Sequence, residues 1–220
     1  MWQQSTEFIM ARNRNPNPAN RSRGGTPRKG DPTTTGQLRI IAGQWRGRVL
    51  KFPALDGLRP TGDRVRETLF NWLQGDITQA RCLDLFAGSG ALGLEALSRG
   101  AQHCTFIDTQ SNACQALAAN LELLNCSQGQ IAQTNALQWL ASSANGLEKP
   151  YDIIFCDPPF AANLWPQTLA ALSRHPCLAS NALVYIEAPK DATLEPSPSW
   201  QLARVKDAGQ IRFYLFQATG

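Results

Sequence analysis

The sequence predicts an α/β fold, a doubly wound and mostly parallel sheet, and three observations carry that prediction. From Arg81 onward, short apolar runs of strand length alternate with stretches of helical periodicity. A glycine-rich loop, Gly88-Ser89-Gly90-Ala91-Leu92-Gly93, joins the first of those runs to the first helix that follows it. The last two runs, at 200–205 and 211–217, flank Asp207-Ala208-Gly209 with no helix between them, which adds a C-terminal antiparallel hairpin.

Taken in order, residues 1–36 contain Asn-Pro-Asn-Pro, Arg-Gly-Gly and a Thr triplet, with almost no aliphatic content after Met10. Such a segment cannot bury enough apolar surface to fold, so a disordered basic tail is expected. Residues 37–52 alternate apolar residues with Arg and Gly and read as a small basic β-hairpin around Gly43-Gln44-Trp45-Arg46-Gly47. A loop through Arg59-Pro60-Thr61 precedes a helix at 64–73, with Asp63 as its expected N-cap. Strands follow at 82–86, 103–108, 130–133, 152–156 and 182–187. Helices are expected at 91–99, stopped by Gly100, at 111–124, capped by Ser111, and at 164–173. The expected division is a tail 1–36, an N-terminal extension 37–75 and a main domain 76–220.

The chain of 220 residues can build such a domain without disulfide or metal. Six cysteines form no C-x-x-C pair and only two histidines are present, so no metal site is expected and the thiols read as small buried groups in a reducing compartment. No apolar run reaches membrane-spanning length and no secretory leader stands out, so a cytoplasmic protein is expected. The net charge of +4 is unevenly distributed. Residues 1–81 carry 14 Lys/Arg against 6 Asp/Glu, and residues 82–220 carry 7 against 11. A basic first third points to a polyanion partner. Arg39, Arg46, Arg48, Lys51, Arg59, Arg64 and Arg66 are the candidate contacts, because guanidinium forks match phosphate geometry. Trp45 and Pro60 would add stacking surface. His103 and His175 read as structural.

Two motifs carry chemistry. Asp84-Leu85-Phe86-Ala87-Gly88-Ser89-Gly90 is a strand-to-helix loop in which glycine lets a ligand approach the backbone, and Asp108, ending the next strand, suits a ribose diol. On that motif alone a nicotinamide dinucleotide and an adenosyl sulfonium cofactor are both open. The second motif separates them. Asp157-Pro158-Pro159-Phe160 directly follows the run 153–156. Two consecutive prolines stiffen the backbone and remove two amide donors, leaving acceptors. An acid, rigid carbonyls and an aromatic ring suit an aromatic amine that is held by its hydrogens and stacked. Glu187 ends the fifth strand near the same cleft and is retained as a candidate.

At these residues the chain resembles a known family. Asp157-Pro158-Pro159-Phe160 is similar to the signature of amino-group methyltransferases. Residues 40–48, Arg59-Pro60-Thr61, residues 63–71, 85–90 and 94–101 together resemble the RsmD family of bacterial 16S ribosomal RNA methyltransferases. The resemblance runs from Leu38 to the C-terminus and is densest up to Phe160. It implies a Rossmann-like class I methyltransferase fold, S-adenosyl-L-methionine as cofactor, and the N2 amino group of a guanine as acceptor. The implied partner is 16S ribosomal RNA in an assembled or nearly assembled small subunit. By the same resemblance Asp84, Phe86, Ala87, Gly88, Ser89, Gly90, Asp108, Asn135 and Ala136 bind cofactor, Asp157 to Phe160 are catalytic, and the basic residues bind RNA. Asn135 departs from the acid that many methyltransferases place near the adenine. Other amines, adenine N6 or a protein glutamine, a dehydrogenase on the same scaffold, and an RNA chaperone are the rival readings.

Overall fold

The computed structural model describes residues 35–53, 62–142 and 149–219. It opens with an antiparallel hairpin, β1 (Thr35–Arg39) and β2 (Val49–Pro53), in which Leu38 faces Leu50. The two-residue period buries Leu38, Ile40, Leu50 and Phe52 and exposes Gln37, Arg39, Val49 and Lys51. Thr35 and Gly36, assigned to the tail by composition, are paired with Pro53 and Phe52. Arg59, Pro60 and most of the tail fall outside the described residues.

Helix α1 (Asp63–Trp72) buries Val65, Leu69 and Phe70. Its expected cap is corrected. Gly62 occupies the N-cap position with no side-chain bond, and Asp63 is the first helical residue. There its carboxylate meets the positive end of the helix dipole and pairs with Arg66 one turn on. Ser111 is likewise inside its helix, Gln110 being the N-cap residue, and the Gln110 N–H is taken by Asp108 Oδ1.

The main sheet is built from β3 (Arg81–Asp84), β4 (His103–Asp108), β5 (Gly129–Gln133), β6 (Tyr151–Cys156), β7 (Leu178–Pro189), β8 (Trp200–Ala208) and β9 (Ile211–Ala218). Their order is β5-β4-β3-β6-β7-β9-β8. The strands are parallel from β5 through β7, and the last hairpin inserts β9 antiparallel between β7 and β8. Helices α2 (Ala91–Ser98), α3 (Ser111–Leu123), α4 (Ala136–Ser142) and α5 (Trp165–Leu172) make the crossovers. The sequence reading gives no helix at α4. Asn135 creates it by accepting the N–H groups of Leu137 and Gln138 on its Oδ1.

Alternation along the central strands divides the core in two. Cys82, Phe106, Phe155 and Tyr185 face the hairpin, α1, α2 and α3. Leu83, Ile107, Ile154 and Ile186 face α4 and α5. The hairpin and α1 therefore share one apolar cluster with the main sheet, with no break at residue 75. All six cysteines are free thiols, five of them buried. Among the described residues no helix is long and apolar enough to cross a membrane.

Candidate active site

The chain leaves β3 for β4 and β5 on one side, then returns to lay β6 on the other side of β3. The two neighbouring strands at this switch point, β3 and β6, carry both chemical motifs at their carboxyl ends, where open α/β sheets bind ligands. β3 and β6 pair with Asp84 level with Phe155, and Leu85 N–H donates to the Phe155 carbonyl at 3.1 Å. The glycine loop and the Asp-Pro-Pro-Phe turn therefore emerge side by side.

The loop is held from both ends. Ala87 N–H donates to the Ile107 carbonyl at 2.9 Å, and Gly88 N–H donates to Asp108 Oδ2 at 2.8 Å. Gly90 takes the N-cap of α2 at φ +77°, a left-handed conformation that strains any residue with a Cβ. Gly93 lies where an added Cβ would run into the Phe106 ring and Cys104 Sγ, so the third glycine brings α2 onto the sheet. Beneath the loop, Asp84 is buried and accepts the Gly93 N–H at 3.1 Å. Burial, opposed by that bond and reinforced by the charge of Asp108, pushes its carboxyl up to about 7. Phe86 and Gly88 are half-buried, while Ala87, Ser89 and Ala136 are buried. Asn135 Oδ1 is occupied by the α4 cap, which leaves Nδ2, a donor, as the other polar end of its side chain.

On the β6 side, Asp157 is half-buried and Pro158 buried, whereas Pro159 and Phe160 are exposed. Phe160 opens a single 3-10 turn, Phe160–Ala162, and its ring lies 5.7 Å from that of Trp165. Trp165 in turn donates its Nε1–H to the Glu187 carbonyl at 2.8 Å. Glu187 is buried at the end of β7, with Tyr185 OH donating to its Oε2 at 2.9 Å. Burial raises the Glu187 carboxyl, opposed by the Tyr185 bond. Burial also raises the Tyr185 hydroxyl, and the charges of Glu187 and Asp157 add to it, which places both acids near the same phenol. Trp165 and Tyr185 were not singled out in the sequence, where an aromatic in an apolar run has no signal that distinguishes it from ordinary core.

The basic residues divide. Arg39, Arg46, Arg48, Lys51 and Arg64 are exposed. Arg66 is not: it is fully buried, and its inclusion among phosphate contacts is corrected. Its guanidinium pairs with Asp63 at 2.6 Å, donates to the Arg39 carbonyl at 2.9 Å and lies 3.5 Å from Glu95 Oε2. Glu95, also fully buried, accepts the N–H groups of Ile41 and Ala42 and pairs with Arg99. Trp45 is buried too, its backbone N–H donating to Ser98 Oγ, and so offers no open stacking face. The helical spacing of Glu95, Ser98 and Arg99 was the available signal for this lock on the 40–47 turn. His103 bonds Thr105, and His175 Nδ1 accepts the Cys177 N–H, as structural histidines do.

The model of the family described as Conserved hypothetical protein 95 matches residues 38–217. The chain belongs to the RsmD family. Within that family, the Escherichia coli protein Ribosomal RNA small subunit methyltransferase D is 46% identical over 191 residues, 86% of this chain and 94% of that one. The Haemophilus influenzae protein of the same name is 44% identical over 188 residues, covering 84% and 96%. The solved structure of the E. coli protein yhhF superposes with a TM-score of 0.76 at 46% identity, covering 84% of this chain and 99% of that one. RsmD membership and the sheet order agree on a Rossmann-like fold with C-terminal antiparallel strands.

Proposed function

We propose that this protein is an S-adenosyl-L-methionine-dependent ribosomal RNA methyltransferase, and that its acceptor is the exocyclic N2 amino group of a guanine in 16S ribosomal RNA. The observation that carries the reading is the adjacency of the glycine loop after β3 and Asp-Pro-Pro-Phe after β6 at one switch point. The names of the relatives in E. coli and H. influenzae support the ribosomal RNA class.

The residues present fit the cofactor. Gly90 sets the left-handed turn into α2 and Gly93 brings that helix onto the sheet, Asp108 offers carboxylate lone pairs beyond those taken by Gly88 and Gln110, and buried Asp84 supplies an acid under the loop. When bound, its sulfonium supplies an activated methyl, so no covalent enzyme intermediate is needed. The chain's own task is the nucleophile. A guanine amino lone pair is delocalised into the ring. Asp157 and the Pro158 carbonyl accept its hydrogens and draw the nitrogen toward a tetrahedral shape, contacts that strengthen in the transition state. With the cofactor bound, the methyl would pass to this nitrogen while the sulfur keeps the bonding pair, and the amine proton would leave to solvent or to Asp157. Phe160 replaces the stacking lost when the base leaves its neighbours. Residues 37–66, through Arg39, Arg46, Arg48, Lys51 and Arg64, hold RNA phosphates, with an assembled or nearly assembled small subunit as substrate.

The test is mass spectrometry of 16S nucleosides from cells with and without the protein, followed by labelled methyl transfer to small subunits and to naked 16S RNA. Loss of one N2-methylguanosine, restored by purified protein on subunits, is expected. Loss of N6-methyladenosine instead, or no change, would reject the guanine assignment.

A further inference from the structure

We propose that Glu187 is a second acceptor of the base site, and that with Asp157 it selects the donor edge of guanine. This rests on the reading of the site as a guanine amino methyltransferase. The β6–β7 register pairs Phe155 with Tyr185 and Cys156 with Ile186. Asp157 is the first residue beyond β6, and Glu187 is the residue of β7 that follows the last paired position, so the two leave the register side by side. Alternation places both on the face of Phe155 and Tyr185, whose rings meet at 6.4 Å. That face is covered by α1, where Phe70 lies 6.0 Å from Phe155.

Glu187 is held on two sides. Tyr185 OH donates to its Oε2, and Trp165 fixes its carbonyl while touching Phe160. Phe160 and Glu187 are thus positioned through one shared side chain, Trp165. Among the described residues no ion pair involves Glu187, so no described cation offsets the cost of burying its carboxyl. A glutamine would satisfy Tyr185 equally well without that cost, which argues that the carboxyl has a second use. Guanine presents N1–H and N2–H₂ side by side, both donors. Adenine and 2-aminopurine present an acceptor at N1. An acceptor at Glu187 facing N1, beside Asp157 facing the amine, accepts the first and leaves the others with two opposed lone pairs.

The experiment uses small subunits reconstituted with 16S RNA that carries guanine or 2-aminopurine at the methylated position. 2-Aminopurine keeps the exocyclic amine and lacks N1–H. Wild-type protein should favour guanine by roughly 100-fold in kcat/KM. Glu187→Gln, whose amide can present a donor, should shrink that ratio by roughly 10-fold or more, with cofactor affinity unchanged. Comparing the ratio between enzymes cancels the intrinsic reactivity of the two amines. A ratio within about twofold of wild type would overturn the role of Glu187 while leaving the broader reading intact. Wild-type protein that methylates neither substrate would overturn both. Should Glu187→Gln not fold, Tyr185→Phe must narrow the ratio in the same direction, and an unchanged ratio there rejects the proposal.

Discussion

Asp84, Asp108 and Asp157 stand at or just past the carboxyl ends of three adjacent strands, and the proposed site gives each a separate role. Asp157 follows β6 and faces the proposed amine, so Asp157→Ala should lower single-turnover methyl transfer on the order of 100-fold or more and leave cofactor affinity nearly intact. An unchanged rate would remove Asp157 from the chemistry. Asp108 organises the glycine loop through Gly88 and faces the proposed ribose site, a contact largely uniform between ground and transition states. Asp108→Ala should therefore raise the apparent KM for S-adenosyl-L-methionine more than it lowers kcat, and wild-type affinity by calorimetry would contradict the placement. Asp84 is pushed up to about 7 from an ordinary value near 3.8. Between those values the folded chain keeps a proton that the unfolded chain has lost, so this group makes stability fall as pH rises from about 4 to about 7. Asp84→Asn keeps an acceptor for the Gly93 N–H and removes the titration. Its stability relative to wild type should improve between pH 4 and pH 8, by at most on the order of 4 kcal/mol. Urea melts of the ligand-free protein with the same difference at both pH values would show that Asp84 does not titrate in this range.

At the scale of elements, the hairpin, α1 and α2 are joined through one buried ionic cluster. Glu95 on α2 takes two backbone N–H groups of the turn, and Arg66 on α1 takes the Arg39 carbonyl. A buried pair of this kind contributes little compared with a well-packed apolar substitute, yet removing one partner strands the other charge. Arg66→Ala should cost about 3–5 kcal/mol, lowering the melting temperature on the order of 10 °C. It should leave the salt dependence of RNA binding unchanged in protein that remains folded. A shallower salt slope with an unchanged melting temperature would return Arg66 to the phosphate contacts.

For the whole molecule, the relevant quantity is the field of the basic first third set against a mildly acidic remainder. The exposed cations lie on the outer face of the hairpin, on its turn and at the start of α1. Each phosphate contact contributes about 0.7–0.9 to the log–log salt slope. Neutralising Arg46, Arg48 and Arg64 together should weaken subunit binding and reduce that slope by about 2–3 units. A slope unaltered in the triple variant would place RNA on another surface.

The sequence by itself determined what depends on local periodicity and on covalent stiffness. The strand and helix order from Arg81, the glycine loop, the rigid Pro158-Pro159 pair and the C-terminal hairpin are all written in short segments, because burial pattern and backbone restriction act within a few residues. Helix α4 was missed because its start depends on a single Asn135 cap and its few apolar positions do not complete a clear period. Tertiary structure alone decided what depends on which strands become neighbours. The return of β6 to the far side of β3 brings two motifs some seventy residues apart to one edge, and the insertion of β9 beside β7 completes the sheet. The same packing sorted the arginines. Arg64 and Arg66 are two positions apart on one helix, and a turn of 200° between them sends one to solvent and the other to Glu95. Charge composition counts the two alike, because it records no direction. Only the packed helix distinguishes a cation available to phosphate from one already spent holding the hairpin in place.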